Sequence, residues 1–277
     1  MLRRRLTQAI LMLPVLVYTA FSAGPYLWTA TMSLRTTDEI YRNHYGLPMP
    51  PHFWKFHTAW TEFGYATYFK NSAIVTVVAV ILITMFGAMA GFGFARRRYA
   101  FPLREPLFLM LFLSIMFPPQ IMILALFQIL IKYGLFNSLT GLILVYTATE
   151  LPVTIYLLRA FFAQIPQELE EAARIDGCSD WAMFWRVMFP IAGPAVATTM
   201  ILNFIYFWNE FLYAVVFITK QEIRTLPLAI QFLVSDQYFD IGMLATGLMI
   251  ATLPVLVMYL FLSEWFVKGM TAGAIKG

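Results

Sequence analysis

Charge is scarce in this chain of 277 residues. Only 12% are Asp, Glu, Lys or Arg, against about 25% in an ordinary soluble domain. Cysteine is limited to Cys178, which excludes an intramolecular disulfide. Histidine is limited to His44, His52 and His57, which share one stretch without metal-ligand spacing. No lysine is followed by Ser or Thr, so a phosphate-binding loop ending in Gly-Lys-Ser/Thr is absent. Neither Gly-x-Ser-x-Gly nor His-Glu-x-x-His occurs. A P-loop nucleotide hydrolase, a serine hydrolase of that type and a zinc protease of that type are therefore excluded. No cofactor is expected in this chain.

Apolar residues are abundant, at 60% of the chain. That balance describes an integral membrane protein. The formal net charge of +4 is then read as loops held on one side of the bilayer, not as a nucleic-acid surface. About 20 apolar residues cross a roughly 30 Å hydrocarbon core. Six such stretches are present, at about 9–33, 71–95, 106–131, 139–162, 191–219 and 241–263. The first follows Arg3-Arg4-Arg5. It is too long for a signal peptide core and lacks a clear small-x-small cleavage site. Pro118-Pro119 is expected to kink the third span. Gly87-x-x-x-Gly91 allows close helix packing in the second. The densest basic clusters, Arg3–Arg5 and Arg96–Arg98, fall on the same side if six spans are counted. Both termini are therefore expected in the cytoplasm. The division expected is 1–67, an N-terminal span with an extracytoplasmic loop; 68–263, the transmembrane core; and 264–277, a flexible cytoplasmic tail.

Residues 165–194 form a polar island between two spans. Pro166 suits a first helical turn. Glu168, Glu170 and Glu171 favour the positive end of the helix dipole. Ile165, Leu169, Ala172, Ala173 and Asp176 share one helical face. Gly177 stands where a helix would end in a left-handed residue, and Ser179 can cap a second helix. Pro190 and Pro194 redirect the chain. From periodicity alone, this segment is either an amphipathic helix at the lipid interface or a docking element.

Glu171-Ala172-Ala173, Asp176-Gly177, Phe184, Pro190 and Pro194 resemble, in order and spacing, the EAA motif of binding-protein-dependent ABC importer permeases. Asn71-Ser72, Trp208-Asn209-Glu210-Phe211 and the closing run from Phe266 to Gly277 are similar to the carbohydrate, MalG-like subgroup. Cys178 departs from the small residue usual there. The likeness covers roughly Tyr68 to Gly277. It implies an all-α, six-span, type I ABC importer permease fold in a bacterial inner membrane. It also implies import of a sugar, oligosaccharide or polyol. The partners implied are a second homologous permease, two ATPase subunits and an extracytoplasmic solute-binding protein, besides membrane lipid. Glu171, Ala172, Ala173, Asp176 and Gly177 would then couple ATPase motion to alternating access.

Polar residues inside the spans are the other candidates. Glu150 lies mid-span, where a charge must face protein or water. Asn203, Tyr206 and Glu210 share a face of the fifth span, with Asn209 beside them. Such a stripe either borders a translocation path or ties helices together. Gln120 and Gln128 are read as inter-helix hydrogen-bonders, and Arg96–Arg98 as a topology anchor. The loop 220–240 is either a plain connector or a contact for the binding protein. Two rivals stand beside the importer: a secondary transporter using Glu150 or Glu210 as proton carrier, and a membrane-embedded enzyme.

Overall fold

The computed structural model describes the backbone of residues 2–99, 101–235 and 240–274. Among the described residues every regular element is helical. In chain order these are α1 (Leu2–Ser33), α2 (Thr37–Arg42), α3 (Trp54–Thr61), α4 (Tyr65–Ala95), α5 (Arg104–Ser114), α6 (Pro119–Lys132) and α7 (Leu139–Phe162). There follow α8 (Glu168–Ile175), α9 (Asp180–Met183), α10 (Phe189–Ile191), α11 (Gly193–Trp208), α12 (Leu212–Phe217), α13 (Leu226–Ser235) and α14 (Ile241–Ala274).

Among the described residues, four helices are long and apolar enough to cross a bilayer: residues 11–33 of α1, all of α4 and α7, and residues 241–261 of α14. Counting two bent pairs as spans brings the number to six. The expected kink at Pro118-Pro119 is a full break: α5 and α6 meet at 107°. Proline pushes its preceding residue out of the helical region, and Pro118 has ψ 137°. The fifth span also differs from the single helix expected over 191–219. The chain bends by 76° where residues 180–191 meet α11. It then breaks again at Asn209–Phe211, before α12. The tail expected to be flexible is helical as far as Ala274. A glycine costs a helix only about 1 kcal/mol, so Gly269 and Gly273 do not stop one already long. Residues 275–277, with Lys276 and Gly277, lie outside the described residues.

The chain forms two compact units, Met1–Ala66 with Ala229–Leu253, and Thr67–Leu228 with Pro254–Gly277. In the first, Thr36 and Glu39 form a capping box on α2. His52 Nε2 lies 2.9 Å from Glu39 Oε1. Lys55 Nζ is buried and donates to the Arg35 carbonyl at 2.6 Å. Burial lowers the Lys55 ammonium to about 8, against the opposing charges of Asp240 and Glu39. Asp240 accepts from Thr37 Oγ1 at 2.5 Å and from Met243 N at 2.7 Å, and so caps α14.

The second unit holds two apolar clusters. One joins Val75, Ala79 and Ile83 of α4 to Leu142 and Tyr146 of α7, Phe207 of α11 and Phe217 of α12. The other joins Ala88 and Phe92 of α4 to Leu158 and Phe162 of α7, Ala173 of α8, and Met183 and Phe184. Gly87 and Gly91 let α4 approach α7 as their spacing predicts. A Cβ on Gly87 would lie 2.6 Å from Thr154 Cγ2, and one on Gly91 3.0 Å from the Arg159 backbone nitrogen. Between lipid-facing helices such close packing replaces the hydrophobic drive that water supplies elsewhere.

Candidate functional site

The polar island builds its helix–turn–helix as its sequence predicts. α8 ends in a Schellman motif: Cys178 N donates to Ala173 O at 3.0 Å and Gly177 N to Arg174 O at 2.9 Å. Gly177 has φ +80°, with open space around it, so conformation and not crowding calls for glycine. Ser179 caps α9 through a 3.2 Å bond from Ala182 N. The chain then widens into a π turn over Phe184–Met188, where Phe189 N reaches Phe184 O.

The faces of α8 differ from the expected one. Ile165 and Ala173 are buried in the second apolar cluster. Glu171, Ala172, Asp176 and Gly177 are exposed, and so are Leu169 and Ile175. Ile175 is 87% exposed. Ala173 therefore seats α8 on this chain's own helices, and Ala172 alone of the pair faces outward. The expected stripe fails because it straddles the boundary between the two faces.

Beneath α8 lies an ion network that sequence reasoning missed. Glu170, only 2% exposed, pairs with Arg96 Nε. Its other oxygen lies 3.6 Å from Arg174 Nη2. Arg174 also lies 3.6 Å from Asp180. Arg96 donates to the Ile165 carbonyl at 3.0 Å. Arg104 donates to the Phe94 and Arg96 carbonyls, at 2.5 and 3.2 Å. Arg159 donates to Phe94 O at 3.3 Å and stacks on the Phe108 ring, 3.7 Å from its centroid. Burial, with Asp180 alongside, raises the nearby Tyr99 hydroxyl above its usual value. Arg96 is thus more than a topology anchor. A run of three arginines carried no sign that the first folds back under the next loop.

Inside the spans, α7 and α11 are joined by a polar ladder. Asn203 Nδ2 donates to Thr154 Oγ1 at 3.0 Å, and both residues are buried. Tyr206 is hydrogen-bonded to Glu150. Tyr146 donates to Glu210 Oε2 at 2.5 Å. The rungs step four residues down α7 as they step three or four up α11 and the residues that follow it, as antiparallel segments require. Glu210 also accepts from Tyr213 N at 2.6 Å and Ala214 N at 3.2 Å, and so caps α12. Its carboxylate is occupied within the chain. Asn209 is exposed and donates to the Ile205 carbonyl at 2.7 Å, apart from the ladder. The middle rung differs from its neighbours: Tyr206 is 39% exposed and Glu150 half-buried. Gln120 and Gln128 are exposed on α6.

The loop after α12 is tied to the start of α4. Asn71 Nδ2 donates to the Glu222 and Arg224 carbonyls, at 2.9 and 3.0 Å. Ser72 Oγ accepts from Leu226 N at 2.8 Å. Thr225, Leu226 and Leu228 face inward, while Lys220, Gln221 and Glu222 are exposed.

Two bent spans, a polar helix–turn–helix between spans and a ladder of polar rungs define a polytopic membrane protein, and comparison with known proteins gives its family. The model of the family described as "Binding-protein-dependent transport system inner membrane component" matches residues 83–272, and the chain belongs to that family. It is 38% identical over 217 residues to the diacetylchitobiose uptake system permease protein NgcG of Streptomyces coelicolor, covering 78% of this chain and 71% of that one. It is 32% identical over 257 residues to the arabinooligosaccharides transport system permease protein AraQ of Halalkalibacterium halodurans, covering 91% of each. Its fold is similar to that of a bacterial ABC transporter involved in the import of the acidic polysaccharide alginate. The TM-score there is 0.80 at 20% identity, over 95% of this chain and 97% of the other. The EAA resemblance and the family model agree. This is a multi-pass membrane permease subunit, and the enzyme rival falls away.

Proposed function

We propose that this chain is one of two permease halves of an ATP-driven oligosaccharide importer, with both termini in the cytoplasm. A second permease completes the path, two ATPase subunits bind ATP and Mg, and an extracytoplasmic binding protein delivers the sugar. Two relatives whose printed substrates are oligosaccharides support the substrate class. The observation that carries the coupling role is the split of α8. Its inner face is locked by Glu170 and Ala173, while the side chains of Glu171, Ala172, Ile175 and Asp176 stand outward with no ion pair or side-chain hydrogen bond among the described residues. A helix held rigidly on one side and bare on the other suits a peg seated in another subunit. ATPase closure then rocks the spans as a two-state element. Tyr206 and Glu150, the open rung of the ladder, border the sugar path: an aromatic ring and a carboxylate suit sugar faces and hydroxyls.

Purification of the chain from native membranes, with mass-spectrometric identification of what accompanies it, tests this assignment. A homologous permease and an ATPase chain are the expected companions. A stable preparation of this chain alone, transporting sugar on a proton gradient without any ATPase, would contradict it.

A further inference from the structure

The coupling face of α8 explains how a partner is met, but not how its motion enters the spans. We infer that Arg96 is the positioning residue that carries it, acting through Glu170; this rests on the coupling role given to α8 above. Arg96 directly follows α4, and its own N–H closes on Phe92 O at 3.2 Å. From there its guanidinium reaches two points of the next loop at once, the Ile165 carbonyl and the Glu170 carboxylate. The two points lie on either side of the entry into α8, so position and tilt are both fixed.

Apart from Arg174, which lies 3.6 Å from the second Glu170 oxygen, the contacts around this fork are apolar. Phe92, Phe162, Ala173, Met183 and Phe184 form smooth packing, across which helices shear by small slides. A buried ion pair behaves differently, because separating it leaves both charges unpaired in a poorly solvated place. α8 and the end of α4 must therefore move as one body. The end of α4 is in turn gripped by Arg104 and Arg159, which donate to the Phe94 and Arg96 carbonyls from the start of α5 and the end of α7. A displacement of α8 is thus delivered to three spans at a single point. Glu171, on the outer face, has no part in this linkage.

The test uses the full complex in lipid nanodiscs. ATP hydrolysis is measured with and without the recovered binding protein, with diacetylchitobiose and arabino-oligosaccharides as probe sugars. Arg96→Met with Glu170→Met removes both buried charges, and Arg174, which also faces Glu170, keeps Asp180 at 3.6 Å, so no lone buried charge remains to impair folding. The double variant should assemble and retain its ATPase subunits, yet lose stimulation by the loaded binding protein about tenfold, within the usual range of coupling between sites. Stimulation at the wild-type level would overturn the inference. If the double variant fails to assemble, Arg96→Lys decides instead. It keeps the charge but loses the planar fork. A several-fold loss of stimulation at normal yield supports the pin, and an unchanged value overturns it. Glu171→Ala separates this outcome from the coupling reading itself. If Glu171→Ala sheds the ATPase while the double variant keeps full stimulation, only the pin is wrong. If Glu171→Ala also leaves association and stimulation untouched, the coupling role of α8 fails.

Discussion

Single residues do several kinds of work here, and not all were visible beforehand. Gly177 and Ser179 were legible because a left-handed turn and a helix cap depend on local geometry alone. Arg96, Glu170 and Glu210 were not, since their partners lie tens of residues away. Glu210 read from its helical face as either a path residue or a tie between helices, and its carboxylate accepts from Tyr146 and caps α12. Lys55 was unremarkable in sequence, yet it is a buried ammonium on a carbonyl. Its ordinary value is 10.5 and its folded value about 8. The folded state thus holds fewer protons than the unfolded state between those values, so stability rises with pH across that window and the penalty is fully present below it. The gain is on the order of 1–3 kcal/mol. Thermal unfolding of wild type against Lys55→Met from pH 7.5 to 10 should show a pH-dependent difference in Tm. A constant difference would mean that the ammonium is not titrating in the folded protein.

At the level of elements, the long spans were legible because length and hydropathy suffice to find them. The breaks were harder to read. Pro118-Pro119 signalled a kink, but its size depends on how α6 packs onto α7 and α12, and it reaches 107°. The interruption at Asn209–Phe211 left no proline or glycine to mark it, and Glu210 supplies the cap that makes it stable. The α4–α7 contact was read correctly from Gly87 and Gly91. Gly91→Val should force α4 off the Arg159 backbone and cost about 1–3 kcal/mol by overpacking. Gly93→Ala, on the same helix with nothing within 4 Å of its added Cβ, should be neutral or slightly stabilising. Complex yield and thermal unfolding compare the two. Equal losses would mean that close packing at Gly91 is not what holds these helices together.

For the whole molecule, the fold follows from a division of labour within the second unit. One cluster packs α4, α7, α11 and α12 about the polar ladder, and the other seats the loop that carries α8. Both clusters include residues of α4 and α7, the helices through which the proposed coupling would pass from α8 to the ladder. The family was legible because EAA-type residues are fixed by backbone geometry and helix seating, which a linear motif can record. The split of α8 into a locked face and a bare face was not, because it depends on the neighbour beneath. The most direct measurement of the coupling role is the amount of ATPase recovered with the permease pair. Glu171→Arg with Ile175→Asp changes only exposed positions, so the spans and the second permease should be retained. ATPase recovery should fall at least about tenfold, the cost of losing a well-packed interface contact. Wild-type recovery of ATPase with this double variant would contradict the assignment of α8 as the docking element.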